Sequence, residues 1–134
     1  MKIQEVMVKK LESIGPDAPV YDAIEKMVDK RIRSLLVRPK DEKDVYGVVT
    51  VRDIVFKVIG KNLDPNKIRI EEIASKPLIS IDKDMEIDHV ISLMNKFNIA
   101  RVFVFDGKEI VGVASLLDIM AAALIERARG GHVA

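Results

Sequence analysis

Apolar positions along this chain switch between two periodicities, and the switching runs through the same order twice. Leu11 to Ile14 and Leu78 to Ile81 are short apolar or β-branched runs bounded by Gly15-Pro16 and by Asp82-Lys83-Asp84, the pattern of a strand passing into a turn. Val20, Ile24, Met27 and Val28 then recur at helical spacing, as do Ile87, Val90, Ile91, Met94 and Phe97, which predicts two helices with one apolar face each. Asp17 and Asp84, with Pro19 or Glu86 soon after, supply start signals for those helices. Two strands follow in each half, Ser34 to Val37 with Val45 to Thr50, and Arg101 to Phe105 with Ile110 to Ala114. Asp106-Gly107 reads as a hairpin turn because both residues tolerate positive φ. A closing helix is expected from near Val51, and another from Leu116 toward Arg127 that stops at Gly130-Gly131.

The two halves align residue by residue. At an offset of 67, Ile3 falls on Ile70, Glu5 on Glu72, Asp17 on Asp84, Met27 on Met94, Ile32 on Ile99 and Val37 on Val104. The offset then drops to 65, because Lys40-Asp41-Glu42-Lys43-Asp44 is a longer turn than Asp106-Gly107-Lys108. Insertions belong in loops, so the register change itself marks a turn between strands. Each half ends on the same box, Gly47-Val48-Val49-Thr50-Val51-Arg52-Asp53-Ile54 and Gly112-Val113-Ala114-Ser115-Leu116-Leu117-Asp118-Ile119. A whole supersecondary module has been duplicated, with one repeat at 1–66 and the other at 67–134.

Composition narrows the function. With 134 residues, 49% of them hydrophobic, the chain can bury a core but has no room for extensive catalytic machinery. The net charge of +1 gives no electrostatic case for nucleic acid or an anionic membrane as a required partner, and Lys9-Lys10, Arg127 and Arg129 read as solvated surface. Without cysteine there is no disulfide, no thiolate catalysis and no cysteine-ligated zinc. The N-terminus lacks a signal-peptide core and no apolar run reaches membrane-spanning length, so a cytoplasmic protein is expected. No nucleophile sits in a pattern with a base, and no Gly-rich phosphate loop is present; Asp41 to Asp44 reads as a solvated turn, while His89 and His132 are too isolated to argue for a metal. Neither an enzyme nor a metal protein is indicated.

The doubled β-α-β-β-α order resembles the cystathionine-β-synthase (CBS) domain pair, or Bateman module. The resemblance rests on Pro16-Asp17-Ala18-Pro19-Val20-Tyr21-Asp22-Ala23, on Ile32-Arg33-Ser34-Leu35-Leu36-Val37, and on the two Gly-x-x-Thr/Ser-x-x-Asp boxes. It implies an α/β (α+β) fold in which tandem repeats pack about a pseudo-twofold axis, leaving two clefts for adenosine-containing ligands, with a disc-shaped dimer stacked through helices. The apolar closing helices, Ile54, Val55, Val58 and Ile59 in one repeat and Leu116, Leu117, Ile119, Met120, Leu124 and Ile125 in the other, agree with a homodimer.

The resemblance also assigns site residues. The first cleft would hold Val48, Thr50, Arg52 and Asp53 with Pro77, Leu78, Ile99 and Arg101; the second would hold Val113, Ser115, Leu117 and Asp118 with Lys10, Leu11, Ile32 and Ser34, and Arg33 could assist either. Chemistry makes the box intelligible, since a carboxylate accepts the vicinal hydroxyls of a ribose, and a guanidinium holds phosphate in fork geometry. Gly47 and Gly112 would keep the approach narrow. Arg52 and Arg101 rank the first cleft as the tighter phosphate site, because their counterparts Leu117 and Ser34 carry no charge. Structural readings stand beside these: Asp53 and Asp118 as helix-start partners, Thr50 and Ser115 as caps, Arg52 and Arg101 as solvated charges, Met27 and Met94 as core.

The expected function is an adenine-nucleotide regulatory sensor that changes its packing or partner surface on binding AMP, or ADP or ATP, as an energy sensor does. AMP ranks first because two arginines suit one phosphate and no Mg²⁺-binding acidic cluster is evident. The alternatives are a dimerisation or protein-interaction scaffold with vestigial clefts, and a sensor of S-adenosylmethionine or NAD. The sulfonium is disfavoured beside Arg52 and Arg101. No catalytic cofactor is implied, and an effector protein would receive the signal.

Overall fold

A computed structural model describes residues 1–128 and 130; Arg129, expected at the surface, Gly131, expected to stop the last helix, and the isolated His132 lie outside the described residues. Each repeat folds in the expected order. The first gives β1 (Ser13–Ile14), α1 (Val20–Lys30), β2 (Ser34–Val37), β3 (Gly47–Thr50) and α2 (Val51–Ile54), which continues into π-helical turns at Val55–Ile59. The second gives β4 (Ser80–Asp82), α3 (Ile87–Phe97), β5 (Arg101–Asp106), β6 (Glu109–Ser115) and α4 (Leu116–Ala128). In each sheet the first strand pairs parallel with the second, and the second antiparallel with the third.

Several ends differ from the sequence reading. Strands β1 and β4 start later than Leu11 and Leu78, and β3 begins at Gly47 rather than Val45. Neither Asp17 nor Asp84 is the residue before a helix: Pro19 and Glu86 hold those places, both extended and without a side-chain cap. The backbone there is tied down otherwise, since Val20 N–H donates to Ile68 O at 2.8 Å and Ile87 N–H to Met1 O at 2.9 Å. Both helices end on a left-handed residue, Arg31 (φ 55°) and Asn98 (φ 52°). At the hairpin only Gly107 takes positive φ, 62°, while Asp106 stays in β5 opposite Glu109. The turn Asp41 to Asp44 is built rather than merely solvated: Asp44 accepts from the Lys40 and Val45 amides and from Lys76 Nζ at 2.8 Å.

Two short 3-10 turns that periodicity did not predict, Ile3–Glu5 and Ile70–Glu72, decide how the repeats become folded units. In each a glutamate folds back onto the preceding amide, Glu5 onto Lys2 N–H at 2.6 Å and Glu72 onto Arg69 N–H at 2.7 Å. Their isoleucines are fully buried in reciprocal cores. Ile70 joins Ile14, Val20, Ala23, Met27, Leu35, Val37, Val49, Ile54 and Val58, whereas Ile3 joins Ile81, Val90, Met94, Val102, Val104, Ala114 and Ile119. One compact unit is therefore Glu12–Leu78, and the other is Met1–Leu11 with the described residues from Ile79 onward. The division at 66 and 67 counts repeats in sequence; the folded units exchange their leading segments. Met27 and Met94 are core, as their helical spacing implied.

Candidate functional site

The box at the end of each repeat forms the same local structure twice. Strand β3 delivers Thr50 to the start of α2, where its extended backbone (φ −118°, ψ 164°) precedes the first helical residue. The Thr50 hydroxyl accepts from Asp53 N–H at 3.2 Å and donates to Asp53 Oδ2 at 3.0 Å, while Thr50 N–H donates to the same oxygen at 2.9 Å. Strand β6 does the same for Ser115: its hydroxyl accepts from Asp118 N–H at 3.1 Å, and its hydroxyl and amide both reach Asp118 Oδ2 at 2.9 Å. This reciprocal capping satisfies donors that a helix start otherwise leaves unpaired. The structural reading of the four box residues is thus present in full, and it leaves each aspartate one carboxylate oxygen, Oδ1, outside the cap.

That second oxygen is where the boxes part. Asp53 Oδ1 pairs with Lys57 Nζ at 3.1 Å, and the same ammonium donates to Ile73 O at 3.0 Å. The position four residues after Asp118 is Ala122, and among the described residues Asp118 has no ion pair and no hydrogen bond beyond its cap. Lys57 was not singled out in the sequence. Its spacing from Asp53 at i, i+4 was the available signal.

The remaining candidate residues divide between the two units. The first unit contains Val48, Thr50, Arg52, Asp53, Pro77 and Leu78, together with Ile32, Arg33 and Ser34; the second contains Lys10, Leu11, Ile99, Arg101, Val113, Ser115, Leu117 and Asp118. Strand pairing sets Ser34 opposite Thr50 and Arg101 opposite Ser115, so each box has the first residue of its own second strand directly across from it. Val48 forms a bridge with Ser75, its N–H donating to Ser75 O at 3.0 Å and its carbonyl accepting from Ser75 N–H at 2.9 Å. Leu78 N–H donates to Tyr46 O, and Pro77 follows a cis peptide bond. Val113 is bridged to Val8 in the same way as Val48 to Ser75. Arg52 is exposed and lies over the Phe56 ring, 5.0 Å from its centroid, a cation–π placement. Leu117, its counterpart, is 66% exposed. Arg33 is exposed, and its carbonyl accepts from Val51 N–H at the start of α2. Lys10 is exposed, while Leu11, Ile32, Ile99, Ser34 and Arg101 are half-buried.

Gly47 and Gly112 have a reason within the fold itself. Neither adopts positive φ. A Cβ on Gly47 would stand 2.8 Å from Ser75 O, and one on Gly112 would run into the Met7 side chain, so these glycines make room for the chain's own neighbouring segment. Among the described residues no group of three or more His, Asp and Glu is arranged for a metal, and no helix is long and apolar enough to cross a membrane.

Comparison with known proteins agrees with this doubled architecture. The family model described as "CBS domain" matches residues 3–60 and again 70–125. An uncharacterised protein of Methanocaldococcus jannaschii is 33% identical over 121 residues, covering 88% of this chain and 64% of that protein; a Methanopyrus kandleri relative is covered over 61% of its length. The chain thus spans less than two thirds of these two curated relatives. Among solved structures, a hexameric CBS-CP12 protein from bloom-forming cyanobacteria is 33% identical, with TM-score 0.80 over 97% of this chain and 83% of that one. A putative signal-transduction protein with CBS domains from Burkholderia ambifaria is 25% identical, with TM-score 0.82 over 95% of this chain and 96% of that one.

Proposed function

We propose that this chain, which belongs to the CBS domain family and carries two copies of its domain, is a non-catalytic regulatory module that binds an adenine nucleotide. AMP is the first choice. The observation that carries the reading is the doubled box: in both units a hydroxyl and a carboxylate are fixed at a strand-to-helix junction with the same hydrogen bonds, and in both an oxygen of the carboxylate lies outside the cap. A ribose diol is a pair of O–H donors that such an oxygen accepts. Arg52 in one unit and Arg101 in the other each bring a guanidinium, the group that holds a phosphate in fork geometry. ADP and ATP are the other nucleotide candidates, S-adenosylmethionine brings a cation that a guanidinium repels, and NAD is the larger alternative.

Occupancy becomes a signal if the ligand prefers one packing of the module over another, by as much as its affinity for the two differs. The recipient is a second copy of the chain or a separate effector protein. A homodimer through helices is supported by the apolar residues that α4 leaves exposed, Leu116, Leu117, Met120, Leu124 and Ile125, and by Phe56 and Ile59 in the first unit. The same surface favours the second reading, a scaffold in which self-association alone matters. Calorimetric titration with AMP, ATP and S-adenosylmethionine separates the two: heat and a thermal shift with AMP are expected, and silence with every adenosine compound leaves the scaffold. Sedimentation as a monomer at micromolar concentration would sink the dimer.

A further inference from the structure

We propose that Lys57 makes the two boxes unequal toward a ribose: it occupies the free oxygen of Asp53, so a neutral nucleoside is taken first by Asp118. The proposal rests on the nucleotide-binding reading above and deepens it. In both boxes Oδ2 is committed to two donors of the cap, the amide and the hydroxyl of Thr50 or Ser115. Oδ1 is therefore the oxygen available to a diol. In the first unit it already has an ammonium at 3.1 Å, and that ammonium is anchored from the other side by Ile73 O at 3.0 Å. The anchoring matters because a lysine held at two points loses less freedom in its pair than one waving in solvent. A diol arriving at Asp53 must displace Lys57 or share the oxygen with it. At Asp118 the equivalent position is Ala122, and among the described residues nothing competes for the second oxygen.

The charge of the ligand decides how much this costs. Adenosine offers Lys57 no replacement for the carboxylate, so the full competition is felt. AMP brings an anion that the displaced ammonium can meet, so the penalty shrinks. Arg52, in the same unit as Asp53, favours phosphate there, whereas Lys57 places the Asp118 box ahead for ribose. The two boxes thus divide by ligand charge: a neutral nucleoside fills the Asp118 site first, and a nucleotide monophosphate recovers the Asp53 site.

Adenosine and AMP titrated calorimetrically into the full chain and four variants test this. Adenosine binding is expected to vanish in Asp118→Asn and to persist in Asp53→Asn. Lys57→Gln and Lys57→Met are each expected to strengthen adenosine binding at a site that Asp53→Asn then abolishes, by about fivefold, equal to about 1 kcal/mol for a partly exposed ion pair. With AMP the gain is smaller than with adenosine. Glutamine keeps a donor for Ile73 O, so a folding defect in the methionine variant does not end the test. Unchanged adenosine isotherms in the folded Lys57 variants, or wild-type adenosine binding that depends on Asp53 instead of Asp118, overturn the proposal while AMP binding leaves the nucleotide reading standing. Absence of heat with both adenosine and AMP in every variant overturns that reading, and the proposal with it.

Discussion

Replacing Gly47 by alanine tests whether the first residue of the box is glycine for the sake of the chain's own packing. The added Cβ would stand 2.8 Å from Ser75 O and 2.9 Å from Lys76 Cγ. The first of these is backbone, and it is pinned: Val48 N–H donates to Ser75 O at 3.0 Å, and Val48 O accepts from Ser75 N–H at 2.9 Å. Relief requires the two-bond bridge to open or shift, an overpacking cost of about 1–3 kcal/mol. The loss of unfolded-chain freedom in Gly→Ala returns about 0.4–1 kcal/mol. The net expectation is a destabilisation of about 1–2 kcal/mol, roughly 4–8 °C in Tm for a chain of this size. Gly112→Ala is the comparison, because its Cβ would press hardest on the Met7 Sδ and Cγ, which another rotamer moves away, leaving the fixed Met7 Cβ at 3.1 Å. Its cost should fall below about 1 kcal/mol. Urea unfolding of both variants, with m-values compared to wild type, measures the difference. Equal midpoints for the two variants, or a larger loss for Gly112→Ala, would refute the argument that pinned backbone is what Gly47 accommodates.

Other expectations follow from single contacts. Ser115→Ala removes the hydroxyl that accepts from Asp118 N–H, and should cost about 1 kcal/mol in urea unfolding whether or not any ligand binds. Arg31→Gly relieves a left-handed residue (φ 55°) and should raise Tm more than Asn98→Gly, because asparagine already tolerates that conformation; equal shifts would contradict this. Ile3→Ala should lower amide-exchange protection around Ile81, Val90 and Val104, whose core Ile3 shares, while Ile70→Ala should act around Val20, Leu35 and Val49; truncation costs of about 2–5 kcal/mol make the contrast measurable. Lys76, with the Lys40 and Val45 amides, holds the Asp44 carboxyl down from 3.8 to about 2. Its contribution to stability is therefore complete above pH 3.8 and lost as the pH falls through about 2. Asp44→Asn should remove that part of the acid dependence, read as the urea midpoint against pH.

Much of the fold was legible because it depends on periodicity, which sequence displays directly. The 3.6-residue spacing of Val20 and Met27 and of Val90 and Met94 buries one face of each helix, but Val28, Ile91 and Phe97, which spacing placed on the same faces, are exposed. The drop in register across Lys40 to Asp44 located the hairpin of the first repeat. Local start and stop signals were less dependable. Asp17 and Asp84 looked like caps, yet the backbone ahead of each helix is held by strand-like bonds to residues distant in sequence, so no side-chain cap is needed there. Arg31 in a left-handed conformation carries no signal of the kind a glycine would give. The box was visible as a motif, and so was its capping chemistry. The Asp53–Lys57 pair had an i, i+4 signal, but the Ile73 carbonyl that anchors the ammonium comes from a segment sixteen residues on and had none.

Sequence by itself determined that there are two copies of one β-α-β-β-α module, each ending in a hydroxyl and a carboxylate three residues apart, because repetition and hydrophobic spacing are one-dimensional properties. Tertiary structure alone decided that the copies lend each other their first turns, with Ile3 in one core and Ile70 in the other. It alone decided that Gly47 faces a carbonyl of its own chain, and that Asp53 is engaged while Asp118 is free of any partner beyond its cap among the described residues. The reason is the same in each case: an apolar turn, a missing Cβ and an ammonium take their meaning from what lies within a few ångströms, and those neighbours come from other parts of the chain.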